Sequence, residues 1–345
     1  MEKDYRSIFE KLKARGDNSV YEWFQAYGEP DLRNHIMVVG RAVNDWKDFN
    51  IGENEFTDLY SGEIVPLTQD GDIESFFRNS SHYNMKRSAF WRTTRAVTCG
   101  LYDCLWNNFG KYLSYSNLYK VALPGKNPNN QLIRLQQLEC INILRQEIEL
   151  WKPEFILFQT GWDWVDPFLI DFEKEDGLTC FGRNGLLDDC GVFPNGCRIA
   201  VIPHPQGKKE CLLAGQVIAF FKNFDVLFAE ISAASGGLDR KWSLNETSEE
   251  IYFTSPPFWN DSRVPLLLQT DLNMQCFRIG IWSRDQKFAP LNSFLSQRLN
   301  REFKTNSAWS GGYTEIPFRD ADHDAKGIVK LVKDLYRVFQ PIVQS

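Results

Sequence analysis

The chain predicts an α/β fold: a three-layer αβα sandwich around a central, mostly parallel sheet, followed by a small α+β C-terminal domain. Short apolar runs alternate with longer amphipathic segments, the pattern of strands joined by helices that cover both faces of a sheet. Three of those runs open into polar loops, at 40–46, 117–128 and 204–209. In open α/β sheets ligands bind outside the carboxyl ends of the strands, so three such loops predict one site. After Ala233-Ala234-Ser235-Gly236-Gly237 the alternation stops, and β-like runs cluster ahead of two helical stretches.

Residues 5–27 read as a helical lead-in with Ile8, Leu12, Tyr21 and Phe24 as core contacts, ended by the Gly28-Glu29-Pro30 turn. Ile36-Met37-Val38-Val39 is the first strand. Residues 47–82 are polar and irregular, an insertion or lid. The stretch 87–107 reads as a helix with Phe90, Val97, Leu101 and Leu105 on its apolar face. A strand near 115–121 follows. In 131–151, Leu132, Leu135, Leu138, Ile141, Leu144 and Ile148 repeat at three or four residues, which is a strongly amphipathic helix. Strands at 155–159 and 198–202 flank a loop-rich region, 161–196, and an apolar helix over 211–231 closes the unit. Past the linker come β-like runs at 250–253, 265–269 and 276–282, then helices around 288–303 and 322–339. The expected division is 1–232, a linker at 233–243, and 244–345.

A chain of 345 residues, 43% hydrophobic and 14% aromatic, can bury a substantial core. No apolar run approaches the about 20 residues needed to span a bilayer, and the charged start Met1-Glu2-Lys3-Asp4-Tyr5 lacks a signal-peptide core. The expectation is a cytoplasmic protein without membrane contact. Its eight cysteines include no Cys-x-x-Cys pair and suggest no disulfide framework. The set Cys180, Cys190, Cys197, His204 and Cys211 fits no common zinc spacing, so neither a metal nor a cofactor is expected. A net charge of −6 argues against nucleic-acid binding through the global field. Phosphate contact needs only a local basic face, however, and Arg41, Lys86, Arg87, Arg92, Arg95, Lys120, Lys126, Lys208 and Lys209 gather near the three loops in sequence. Scattered solvated charge is the plainer reading of any one of them.

The middle loop, Asn117-Leu118-Tyr119-Lys120 through Pro124-Gly125-Lys126, joins an amide, a lysine and a Pro-Gly turn, which suits gripping a nucleobase beside a phosphate. Four segments in order resemble the uracil-DNA glycosylase superfamily, most closely its family 4, over roughly residues 30–225. They are Gly40-Arg41-Ala42-Val43-Asn44, the run from Asn117 to Lys126, Glu147-Ile148-Glu149-Leu150-Trp151-Lys152-Pro153 before a strand, and His204-Pro205. Family 4 carries an iron–sulfur cluster. Cys140 falls on one of its ligand positions, but Val121 stands at another and no cysteine precedes Cys99, so no cluster is implied.

The resemblance implies hydrolysis of a C1′–N bond in a nucleotide extracted from the stack. Asn117 then reads the base edge, since an amide offers both a donor and an acceptor; otherwise it is a turn-former after a strand. His204 donates to the departing base, where negative charge develops; otherwise it is a hydrogen-bonded structural histidine. Asp45, or Asn44 beside it, orients water; otherwise the pair caps a helix starting at Trp46. Phe90 aligns with a base-stacking phenylalanine, although an aromatic at helical spacing is more often core. Gly40, Arg41, Ala42 and Trp46 line the base. Lys120, Lys126, Gln206, Lys208, Lys209 and Arg92 meet the DNA.

Arginine replaces glutamate after Gly40, no proline follows Ala42, and the His-Pro loop continues Gln-Gly-Lys-Lys, so the loops are polar and lengthened. This resembles a divergent phage-defence branch that removes α-glucosyl-hydroxymethylcytosine from invading DNA. The implied activity is a monofunctional glycosylase on double-stranded DNA with a modified pyrimidine, without a Schiff-base lysine. Uracil repair and a non-catalytic nucleic-acid-binding module are the alternatives.

Overall fold

The computed structural model describes residues 1–16, 19–24, 35–42, 47–53, 55–60, 87–102, 104 and 109–222. Further along it describes 239–245, 248–254, 266–271, 276–281, 290–299, 301–306, 309, 312–317, 330–331 and 334–335. The chain divides into two compact units, Met1–Leu213 and Ala214–Ser345.

Helix α1 (Glu2–Lys13) forms because Tyr5, Ile8, Phe9 and Leu12 recur at three- and four-residue spacing, and all four are buried. Glu2 and Asp4 in its first turn and Lys11 and Lys13 in its last match the helix dipole. The helix expected to continue to residue 27 stops here. Gly16 takes a φ of 66°, and Val20–Trp23 is strand β1. A Val-Tyr-Glu-Trp run is β-branched and aromatic, and that preference outweighs the helical spacing of Tyr21 and Phe24.

Strand β2 (Ile36–Ala42) is buried through Gly40. β3 (Lys47–Asn50) and the short helix α2 (Phe56–Leu59) occupy the start of the segment expected to be irregular. Residues 61–82 of that segment lie outside the described residues. Helix α3 (Ala89–Leu101) is shorter than the predicted 87–107. Ser88 caps its start, its hydroxyl accepting from the Trp91 amide at 3.5 Å, and Tyr102 is already extended. Strands β4 (Leu113–Tyr119) and β5 (Val121–Ala122) lead to helix α4 (Asn130–Trp151). Asn129 caps α4 through its side chain, and Lys152 ends it in the left-handed region at φ 46°, just before Pro153.

After β6 (Phe155–Phe158) the structure corrects the sequence reading: 162–175 is not loop but helix α5 (Trp162–Glu175). Val165, Phe168, Leu169 and Phe172 form its buried stripe, and Pro167 lies inside the helix. β7 (Thr179–Cys180), β8 (Asp189–Val192), β9 (Arg198–Val201) and α6 (Glu210–Phe221) follow. The division between the units falls within α6. The expected boundary at 232 lies outside the described residues.

The central sheet has six strands in the order β4-β2-β6-β9-β8-β7. β4, β2, β6 and β9 run parallel, while β8 and β7 pair antiparallel at one edge. Helices flank this mostly parallel sheet, as in an α/β sandwich. On β4, Tyr115 faces α3, meeting the rings of Phe90 and Trp91, and Ser116 faces α4, where its hydroxyl meets Glu147. β1 pairs with β3 and β5 in a separate three-stranded antiparallel sheet.

In the second unit, β10 (Asp239–Asn245), β11 (Ser248–Thr254), β12 (Leu266–Asp271), β13 (Cys276–Ile281) and β14 (Tyr313–Pro317) form an antiparallel sheet in sequence order. Helix α7 (Pro290–Leu299) lies between the last two strands in the chain. β10 begins inside the stretch expected to be linker, and most of the expected helix at 322–339 lies outside the described residues. Among the described residues no helix is long and apolar enough to cross a membrane.

Candidate active site

From β2 the chain crosses to β4 on one side, whereas from β6 it reaches β9 on the other. The carboxyl ends of β2 and β6 therefore flank a topological switch point, where open α/β sheets bind ligands. Register keeps the ends level: Gly40 is opposite Asn117, Val39 opposite Phe158, and Phe158 opposite Val201. Two of the three loops expected to meet thus leave neighbouring strands, β4 and β2, and the third leaves β9, on the far side of β6.

Asn117 is fully buried. Its Oδ1 accepts from the Tyr115 hydroxyl at 3.1 Å, while its Nδ2 finds no acceptor among the described residues. A buried donor left unsatisfied costs about 1–3 kcal/mol, so this amide is held in a state that a ligand's acceptor would improve. Gly40 makes the arrangement possible. A Cβ there would collide with Asn117 Oδ1 and lie 3.4 Å from the Tyr115 hydroxyl oxygen. Gly40→Ala must push the amide aside. The expected result is at least a roughly 10-fold loss of any activity that uses Asn117, with a stability loss of about 1–3 kcal/mol. Thermal unfolding and an activity assay on the same sample check this.

Arg41 lies across the switch point. Its Nε donates to the Thr160 carbonyl at 2.6 Å, and its guanidinium lies 5.4 Å from the centre of the Trp164 ring. Burial lowers its pKa, partly offset by Asp163. Gly161, at φ 76°, donates to the Ile202 carbonyl at 2.9 Å and so joins the end of β6 to the His204 loop. A Cβ on Gly161 would lie 3.4 Å from an Arg41 Nη and 3.9 Å from Asp188 Oδ2. Asp188 is half-buried and was missed in the sequence, where it precedes an unremarked short strand.

His204 is half-buried, and its Nδ1 accepts from the Gln206 amide at 3.4 Å. Burial first, and the Arg41 charge second, hold its pKa below the usual imidazole value. In the neutral ring with Nδ1 accepting, the proton sits on Nε2, which is then a donor. The folded pKa is depressed, so this group's contribution to stability is complete above about pH 6.5 and is lost as pH falls through the folded value. His204 is expected to titrate below about 6.5 in an NMR pH series, with activity level from about pH 6.5 to 8. A rate that declines steadily across that interval would instead require the imidazolium.

Phe90 is packed, at 8% exposure, between Trp91 and Tyr115, and it borders the site through Tyr115 rather than presenting an open face. Lys120 is a correction. Instead of reaching outward to DNA it is fully buried, with Nζ 3.0 Å from both Glu147 carboxylate oxygens, 2.6 Å from Ser116 Oγ and 2.8 Å from the Asn117 carbonyl. Like Ser116 four residues earlier, it meets Glu147 of α4. Arg92 is committed to Glu210 through two hydrogen bonds, at 2.8 and 2.6 Å, which joins α3 to the start of α6. Lys126, Gln206, Lys208 and Lys209 are exposed, the last three on the turn after His204. Ala42 ends β2, half-buried. Asn44, Asp45 and Trp46 lie outside the described residues.

A separate cavity of about 810 Å³ lies at the amino-terminal ends of β6 and β9, lined by Lys152, Pro153, Glu154, Phe172 and Cys197 among others. It is at the wrong end of the strands to belong to the switch-point site. Among the described residues no cluster of three or more His, Cys, Asp or Glu is placed to hold a metal ion. No protein-family model matches the sequence, and no curated protein matches it.

Proposed function

We propose that the chain is a monofunctional DNA glycosylase of uracil-DNA glycosylase-like fold. It takes a modified pyrimidine out of double-stranded DNA and hydrolyses its N-glycosidic bond, in defence against phage DNA containing glucosylated hydroxymethylcytosine. The observation that carries this reading is Asn117: a fully buried amide at a switch point, with an unsatisfied donor, seated against Gly40, whose missing side chain gives the amide its place. Such a group is suited to a flat ring with polar edges delivered from outside.

In this mechanism the flipped base enters against Asn117, which reads its edge. As the C1′–N bond lengthens, negative charge grows on the base, and the Nε2–H of neutral His204 donates to a base oxygen. The Arg41 charge adds to that field at the same rim. Asp45 or Asn44 orients water, and Asp188 is a further carboxylate near Arg41. Exposed Lys208, Lys209 and Lys126 supply phosphate contacts without a globally basic surface. The second unit's β-rich fold has no assigned part in this chemistry.

The test is base release and abasic-site formation from matched duplexes containing uracil, hydroxymethylcytosine or α-glucosyl-hydroxymethylcytosine. Release of the glucosylated base alone is the expected result. Release of uracil would make the protein a repair enzyme, and binding without release from any duplex would make it a non-catalytic module.

A further inference from the structure

Gln159, directly after β6, was not singled out in the sequence, and it is fully buried at the switch point. Its Nε2 donates to Thr94 Oγ1 at 2.6 Å, while the Thr94 hydroxyl directs its own proton to the Phe90 carbonyl at 3.0 Å. Thr94 Oγ1 is therefore the acceptor in the contact with Gln159. Turning the amide end for end would set oxygen against oxygen. That fixes Gln159 Oε1 as an acceptor facing elsewhere, and it meets no donor among the described residues.

On the other side of Gly40, Asn117 has the complementary vacancy, an unpaired Nδ2 donor. The two amides are level. Asn117 is the register partner of Gly40, and Gln159 follows Phe158, the partner of Val39, donating its backbone N–H to the Val39 carbonyl at 3.0 Å. Both sit on the face covered by α3: Gln159 bonds Thr94, and Asn117 bonds Tyr115, which packs on Phe90 and Trp91. Gly40 lies between them with no side chain. The backbones of strands flanking a central strand are roughly 10 Å apart, and the Asn117 amide leans over Gly40 within that span, which brings the two amides within reach of one pyrimidine edge.

We propose that Gln159 and Asn117 form an acceptor–donor pair that selects a 4-aminopyrimidine, a cytosine-type base, over a 4-ketopyrimidine; this rests on the base-releasing reading above. Gln159 Oε1 accepts from the exocyclic amine, and Asn117 Nδ2 donates to the ring nitrogen or the 2-oxygen. A 4-keto base puts an oxygen opposite Oε1, two acceptors facing one another in a buried site. Discrimination of this kind is strong because the mismatched partner strands buried polar groups. Gln159 is then a specificity-determining residue, and Thr94 a positioning residue that sets which end of its amide faces the base.

Recognition can be separated from release with duplexes whose target nucleotide carries a 2′-fluoroarabino sugar, which resists hydrolysis. One duplex holds a cytosine-type base and the other a uracil-type base with the same 5-substituent. The full-length protein should bind the amino base about 10-fold or more tightly than the keto base. Gln159→Met should bring that ratio close to unity. Thr94→Val, which keeps Gln159 but releases its amide, should reduce the ratio, and it decides the matter if Gln159→Met does not fold. Equal binding by the unaltered protein, or a ratio that survives both substitutions, overturns the proposal. Release from the same sequences with natural sugars is scored separately. Preference without release supports the base-reading pair and removes the glycosylase reading; release without preference leaves the glycosylase and removes the pair.

Discussion

Asn117→Ala is expected to lower base release on the order of 100- to 1,000-fold while leaving affinity for unmodified DNA almost unchanged. The size follows from position. The amide is buried, so water does not compete for its Nδ2, and a donor fixed before the reaction needs no reorganisation as charge develops. DNA affinity is carried by exposed lysines elsewhere, so it should hold, as should its dependence on salt. Stability is the discriminating control. Truncation leaves the Tyr115 hydroxyl without the Asn117 acceptor but also removes an unsatisfied buried donor, and the two effects oppose each other at about 1–3 kcal/mol apiece. A structural asparagine would give the reverse pattern: a large fall in melting temperature with release reduced only in proportion to the folded fraction. That result would sink the edge-reading role.

Three of the four parallel strands were legible because each contains a short, apolar run with nothing polar to bury. Ile36 through Val39, Phe155 through Phe158 and Ile199 through Val201 are all found in the central sheet. The long helix α4 was legible from its leucine and isoleucine spacing, with one register error. Leu138 is 63% exposed, whereas Gln136 and Glu147 are buried to serve β4 and β5. Helix α5 was missed although Val165, Phe168, Leu169 and Phe172 have helical spacing, because Pro167 and a glycine at its start read as loop chemistry. The polar partnerships were hidden for a different reason. Whether a lysine beside Asn117 points to solvent or to Glu147, 27 residues away, depends on how β4 and α4 pack. Gln159 was invisible in the same way, since only the Phe90–Thr94 back-bond orients its amide.

Lys120→Met tests the buried interpretation of that lysine directly, and the expected loss of stability is about 3–5 kcal/mol. Both side chains of the Lys120–Glu147 pair are fully buried, and the ammonium also serves Ser116 and the Asn117 carbonyl. Removing it leaves a carboxylate in a dry site with one hydroxyl for company. Burial already pushes the Glu147 pKa up, while Lys120 and Ser116 pull it down, so losing Lys120 raises it further. A carboxyl with a raised folded pKa binds its proton more tightly in the folded state than in the unfolded one. The variant's stability must therefore fall as pH rises from the ordinary value near 4.5 through the raised one. Denaturant melts at about pH 5 and 7.5 should show a smaller deficit at the acid end. Lys120→Met combined with Glu147→Leu removes both charges and should recover most of the loss, since apolar replacements of a buried pair are often neutral or better. A phosphate-binding lysine predicts the opposite on every count: stability intact, affinity lowered for all sequences, and a salt slope reduced by about 1. Because Lys120 holds the Asn117 carbonyl, base release by the folded fraction of the single variant should also fall. In the double variant it should stay low even as stability returns, which would separate the pair's contribution to folding from its hold on the reading amide.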